Sequence, residues 1–218
     1  MQLVNEGKLS VDDSAGKFLP GFKNGRVTIR QLLSHESGLP NYTDNQKVLE
    51  NIKLVNYTNS DYVVLADIIE KVMGKTYAQA LAERIFIPLG MRSSFFASGD
   101  TTNVVGAGGI ISSGGDLLRW VNALSANTLL PKEMMDELLK PRVAWDEWNA
   151  WYAYGWMIDR HLFDVSKRHL VQYQIGSEFG FHNILLREPD KNVVVILLSN
   201  MGDFPRLDMA DLILKELN

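Results

Sequence analysis

The chain contains no cysteine, so it can form no disulfide, has no thiolate nucleophile and offers zinc no cysteine ligand. It also lacks a long apolar run, since the longest one, Val193 to Leu198, has only the length of a strand and cannot cross a bilayer. Basic residues are not in excess: the formal net charge is −4, so nucleic acid is not an expected partner. The first residues show no basic segment followed by an apolar stretch, so no secretory signal is predicted and the compartment stays open.

The chain has enough apolar residues to form a folded core, since 46% of its 218 residues are hydrophobic. Apolar spacing and capping residues predict the end of a helix over 1–7, a short helix from Thr28 to Ser37-Gly38, and helices at about 60–73, 76–87, 114–125 and 131–139. Strands are predicted at 152–158, 170–175, 181–187 and 193–199, followed by a helix over 207–217. The order predicts an α+β fold, with an antiparallel sheet and flanking helices.

One domain over 1–218 is expected, with a helical part at about 26–140 and the sheet and C-terminal helix at about 150–218.

Several segments carry a family pattern in a consistent order. They are Leu3–Leu9, Arg26–Thr43, Tyr57-Thr58-Asn59, Ile85–Met91, Gly108–Leu117, Gly176–Phe181 and Leu198-Ser199-Asn200. Together they resemble the serine β-lactamase and penicillin-binding-protein-like hydrolases, the group of class C β-lactamases, DD-peptidases and related esterases.

The resemblance implies acyl transfer through a serine ester, with no cofactor and no metal. In that family a Ser-x-x-Lys motif supplies the nucleophile, and a Tyr-x-Asn motif supplies a base and a group that holds the substrate amide. A third motif, His-x-Gly or Lys-Thr-Gly, brings a cation or imidazole, and the N–H after its glycine contributes to an oxyanion hole. A tyrosine can act as the base only if nearby cations favour its phenolate, because its ordinary pKa is about 10.

Carried onto this sequence, the resemblance gives Tyr57 the catalytic base position. It gives substrate binding to Asn59, Gln174, Gly176 and Ser177. Asn59 has an alternative role, as the cap of a helix that starts near Ser60. His35 is expected to close its helix and to pack beneath the site.

The sequence departs from the family pattern in two places. The third motif reads Gln174-Ile175-Gly176, so a neutral amide replaces the cation or imidazole. The family's nucleophile motif precedes the segment that here is Leu3–Leu9, so the nucleophile helix and the N-terminal strands are expected to be missing. Ser14-Ala15-Gly16-Lys17 does satisfy Ser-x-x-Lys, but its loop composition argues against the helical setting that aligns serine and lysine.

We therefore predict a β-lactamase/DD-peptidase/esterase-like scaffold with little or no activity of its own. A non-catalytic ligand-binding or regulatory module on the same fold is the alternative. The expected partner is a small acyl substrate or a peptidoglycan-like peptide. An exposed apolar groove and strand edge are also expected, covered by a second copy of the chain or by a complementing N-terminal segment.

Overall fold

A computed structural model describes residues 1–40, 57–97, 105–167, 169–178 and 180–217. The chain divides into two compact units, Met1–Ser112 and Ser113–Asn218. The prediction of a single domain over 1–218 stays a prediction. In the part of the chain that is described, no helix is both long and apolar enough to cross a membrane.

The first unit is mainly helical. Its elements are α1 (Gln2–Asn5), α2 (Ile29–Leu33), α3 (Asn59–Met73), α4 (Tyr77–Leu81) with a π-helical turn over Ala82–Phe86, and the short antiparallel pair β1 (Phe95–Phe96) and β2 (Ile110–Ile111). Its core forms where α2 packs on α3, around the fully buried Leu32 and Ile68. This packing brings the end of α2 and the start of α3 together.

Local capping explains where these helices begin and end. Thr28 and Thr76 each form a capping box with the glutamine three residues later. Gly74 ends α3 in the left-handed conformation. After α1, the N–H of Lys8 bonds the carbonyl of Leu3 in a Schellman pattern.

The second unit is a six-stranded antiparallel sheet with helices. The helices are α5 (Gly114–Ser125), α6 (Lys132–Leu139) and α7 (Arg206–Leu217). The strands follow chain order across the sheet: β3 (Val143–Trp145), β4 (Ala150–Tyr152), β5 (Met157–Asp159), β6 (Gln172–Glu178), β7 (Phe181–Glu188) and β8 (Val193–Ser199). The α+β prediction is confirmed.

Two predicted elements were wrong in detail. The strand predicted over 152–158 is two strands, β4 and β5, because the chain turns back at Gly155, whose φ is +83°. The helix predicted from Thr28 to Ser37-Gly38 ends at Leu33, and His35 beyond it has a φ of +58°, which no right-handed helix allows. The chain stays in the core after the helix has ended, since Ser34, His35 and Leu39 are buried. The sequence pattern therefore gave no sign of where the helix stops.

Candidate active site

The Tyr57-Thr58-Asn59 segment enters α3, and Thr58 caps that helix. Thr58 has extended backbone angles, and its Oγ1 accepts a hydrogen bond from the N–H of Ser60 at 3.2 Å. The alternative in which Asn59 is the cap is therefore wrong, and Asn59 is instead the first residue of the helix. The half-buried Asn59 amide has no hydrogen-bond partner within the described ranges, so it can still meet a ligand.

His35 lies against Tyr57, with 4.2 Å between the ring centroids and 35° between the ring planes. It is buried, with 1% of its surface exposed, and its Nδ1 lies 3.0 Å from Oδ2 of Asp61. The N–H of Thr58 also points at Nδ1, but from 3.5 Å, so the carboxyl group is the closer partner. This packing beneath Tyr57 is the position that the sequence predicts for His35.

Asp61 is a buried acid that sequence reasoning missed. It is fully buried on the first turn of α3, where its other oxygen accepts a hydrogen bond from the Ser37 hydroxyl. Burial raises the pKa of the Asp61 carboxyl, while the bonds from His35 and Ser37 act in the opposite direction. An acid early in a helix is common for reasons of the helix dipole alone, so its position gave no distinct signal.

The phenol of Tyr57 does not have the environment expected of a base. Burial raises the pKa of Tyr57. A tyrosine that removes a proton from serine needs a pKa that is lowered toward neutrality, which is the opposite direction.

Gln174 occupies the position of the family's cation or imidazole, but its amide is already bonded. Its Nε2 donates to the carbonyl of Gly155 at 3.1 Å, and its Oε1 accepts from the N–H of Ile175 at 3.0 Å. These bonds hold the amide in place and use one of its two N–H donors and one of the two lone pairs of Oε1, so each end keeps one site for a ligand. Its role in substrate binding stays a prediction.

The cation near this motif comes from Arg206, the first residue of α7, which sequence reasoning also missed. Its Nη1 donates to the carbonyl of Gly176 at 2.6 Å and to Oγ of Ser177 at 2.8 Å. Both partners lie at the exposed end of β6. A cation at the positive end of a helix is electrostatically unfavourable, so an arginine at a helix start is unusual. This anomaly is the feature of the sequence that could have indicated a role for Arg206.

The Ser-x-x-Lys sequence at Ser14 does not have catalytic geometry. Ser14 precedes a single 3₁₀ turn, Ala15–Lys17, and pairs with Thr28 in an isolated antiparallel bridge. Lys17 Nζ instead bonds Oδ1 of Asp13 at 2.8 Å. Across the described residues, no three histidine, aspartate or glutamate side chains are grouped as metal ligands would be.

Comparison with known proteins identifies the family. A family model described as Beta-lactamase matches residues 1–218. The chain belongs to the beta-lactamase family.

Among curated proteins, the chain is 27% identical over 269 aligned residues to penicillin-binding protein 4* of Bacillus subtilis (strain 168), covering 95% of this chain and 59% of that protein. It is 30% identical over 112 residues to the teichoic acid D-alanine hydrolase of Staphylococcus aureus, covering 44% of this chain and 28% of that protein. The chain thus spans 59% or less of the length of these two relatives.

The fold agrees with that of a solved penicillin-binding protein. The penicillin-binding protein from Bacillus halodurans has a TM-score of 0.83 and 22% sequence identity, covering 100% of this chain and 81% of that one. The predicted β-lactamase/transpeptidase-like fold and the predicted hydrolase family are therefore confirmed. The roles of Tyr57, Asn59, Gln174, Gly176 and Ser177 stay predictions.

Proposed function

We propose that this chain is a serine-hydrolase scaffold that binds acyl compounds of the D-alanyl type, with little or no turnover of its own. The family resemblance predicts roles in this binding for Tyr57 and Asn59 of the first unit and, separately, for Gly176 and Ser177 of the second unit. The names of the two curated relatives, a penicillin-binding protein and a teichoic acid D-alanine hydrolase, support this substrate class.

The observation that carries the proposal is the placement of Arg206 on Gly176 and Ser177. Nη1 makes both of these contacts, which leaves the Nη2 and Nε donors without a described partner. No carboxylate of the described ranges forms an ion pair with this guanidinium. A guanidinium binds a carboxylate through two parallel N–H bonds, so Arg206 suits a substrate with a carboxylate, such as a peptide ending in D-alanine.

Three features support low turnover. Burial raises the pKa of Tyr57, so its phenolate is disfavoured as a base. The only Ser-x-x-Lys in the sequence has its lysine bonded to Asp13 rather than directed at the serine. Gln174 is a neutral amide at the position where the family pattern has a cation or an imidazole.

The proposal is tested by combining intact-protein mass spectrometry with calorimetry. After incubation with an acylating β-lactam, we expect an unmodified mass. Titration with N-acetyl-D-alanyl-D-alanine is expected to show binding. Arg206→Gln should weaken that binding by about 1 kcal/mol, roughly fivefold in Kd, because the group is partly exposed to solvent.

Arg160→Gln is the matched control, because Arg160 pairs with the exposed Asp146 and should leave the Kd unchanged. A covalent adduct on any serine would contradict low turnover and would leave an ordinary acyl-transfer enzyme. Binding without adduct or product is the result that the proposal expects. Absence of binding to wild-type protein would refute the substrate class.

A further inference from the structure

His35 has a backbone conformation that its residue type rarely adopts. Among the described residues, four that are not glycine have positive φ, and the other three are asparagines, which tolerate that region well. His35, at φ +58°, is also buried, with 1% of its surface exposed. A buried and strained residue persists only where its surroundings hold it, and such residues cluster at functional sites.

The surroundings of His35 are an interlocked set of polar contacts. Asp61 holds the ring through Nδ1, and Ser37 holds the other oxygen of Asp61. The Ser37 hydroxyl in turn accepts a hydrogen bond from the N–H of Leu39 at 2.9 Å, which fixes the loop after α2. The imidazole is thus fixed by both its backbone and its ring nitrogen.

The fixed ring contacts two tyrosines. Tyr57 lies 4.2 Å away between ring centroids, and Tyr62 lies 5.1 Å away. Tyr62 is itself tied down, because its hydroxyl donates to the carbonyl of Leu33 at 3.0 Å. The closer of the two contacts falls on the residue that takes the base position, so the orientation of His35 bears directly on Tyr57.

We propose that His35 is a positioning residue, whose ring, held by Asp61 and Ser37, sets the orientation of the Tyr57 phenol. The inference rests on the proposed function, since Tyr57 matters to a ligand only if the acyl site is real. His35 itself acts through Tyr57, and no direct contact with a substrate is assigned to it.

His35→Asn separates positioning from folding. Asparagine accepts positive φ, and its amide N–H can replace the Nδ1 bond to Asp61, but it has no ring to place against Tyr57. The protein is labelled with fluorotyrosine, and the ¹⁹F resonance of Tyr57 is identified by its loss in Tyr57→Phe. We expect His35→Asn to keep a cooperative melt and to move or broaden the Tyr57 resonance.

Affinity supplies the second measurement. In His35→Asn, binding of N-acetyl-D-alanyl-D-alanine should weaken roughly tenfold, because a misplaced contact group loses much of its contribution. His161→Asn, at an exposed histidine in the second unit, is the control and should change neither the resonance nor the Kd. An unmoved Tyr57 resonance with an unchanged Kd in His35→Asn would overturn the proposal.

Two further outcomes remain informative. If His35→Asn fails to fold, Ser37→Ala decides, because it loosens Asp61 and keeps histidine at the strained position 35, and it should also shift the Tyr57 resonance. If wild-type protein binds no peptide, the proposed function fails. The ¹⁹F comparison still tests whether His35 positions Tyr57, so the two failures can be told apart.

Discussion

Gly106 lies so close to α3 that its position has no room for a side chain. A Cβ added there would lie 2.3 Å from the carbonyl oxygen of Tyr62 and 2.8 Å from Cβ of Ala66, both on α3. Its φ is +91°, a conformation that side chains disfavour. The chain can therefore pass this close to α3 only because the position lacks a side chain.

We expect Gly106→Ala to destabilise the protein through two effects. Positive φ costs about 1–2 kcal/mol, and the overlap with helix backbone adds ~1–3 kcal/mol. Gly21→Ala is the matched control, since Gly21 has a φ of +89° but a Cβ added there would meet no atom within 4 Å, so it isolates the first effect. Urea unfolding of both variants measures the difference, and equal losses of stability would show that the chain relaxes away from α3.

Residues of the site were predicted from sequence only where a motif names them. The Tyr57–Asn59 segment and the Gly176–Ser177 segment follow a family pattern. Arg206 contacts Ser177 from 29 residues further along the chain, and Asp61 contacts His35 from 26 residues further along, so only the folded structure reveals these two partnerships. A residue that acts across the fold leaves no local spacing to recognise.

At the scale of elements, α1 is joined to the turn after α4 by an ion pair. Arg84 Nη1 and Nη2 contact the two oxygens of Glu6 at 2.5 and 3.0 Å. Hydrogen bonds from Arg84 and Lys8 lower the pKa of Glu6 to about 2. The contact therefore adds stability above the unfolded pKa of this residue, and that stability is lost as pH falls through the folded value.

Glu6→Gln should reduce the free energy of unfolding at pH 6 by about 1 kcal/mol or less, because the pair is largely exposed to solvent. The difference from wild type should shrink toward zero as pH falls to about 2, where Glu6 becomes protonated in both states. Glu147→Gln, at an exposed residue with no ion pair among the described residues, serves as the control. A difference that does not change with pH would contradict the electrostatic explanation.

Helices were predicted more accurately than strands, because the residues that begin and end a helix lie close together in the sequence. The caps at Thr28, Thr76, Ser113 and Gly74 each depend on no more than four adjacent residues, so a short stretch of sequence is enough to place them. The turn at Gly155 was missed because Tyr152, Trp156 and Met157 form an almost continuous apolar run, in which a tight reversal has no polar marker. Pairing between strands then decides where each one ends.

At the scale of the whole molecule, β8 is the last strand of the sheet among the described residues. Its sequence, Val193 to Leu198, is entirely apolar and contains neither a charge nor a proline to discourage pairing. Leu198 is 47% exposed, and two more apolar residues are exposed: Met201, three residues later, and Phe181, at the end of the neighbouring strand β7. These features favour association of the chain through this strand, which is one of the two predicted ways of covering it, the other being a complementing N-terminal segment.

Leu198→Lys should therefore shift the protein toward monomer, because a charge on the strand disfavours pairing with another chain. Analytical ultracentrifugation over a range of concentrations measures the shift. Leu118→Lys is the matched control, because Leu118 is similarly exposed, at 43%, but lies on α5, where backbone hydrogen bonds are satisfied within the helix. If wild-type protein is monomeric at every concentration and melts cooperatively, β8 needs no partner and the predicted self-association is wrong. If both lysine variants reduce association equally, general surface hydrophobicity drives it, and strand pairing does not.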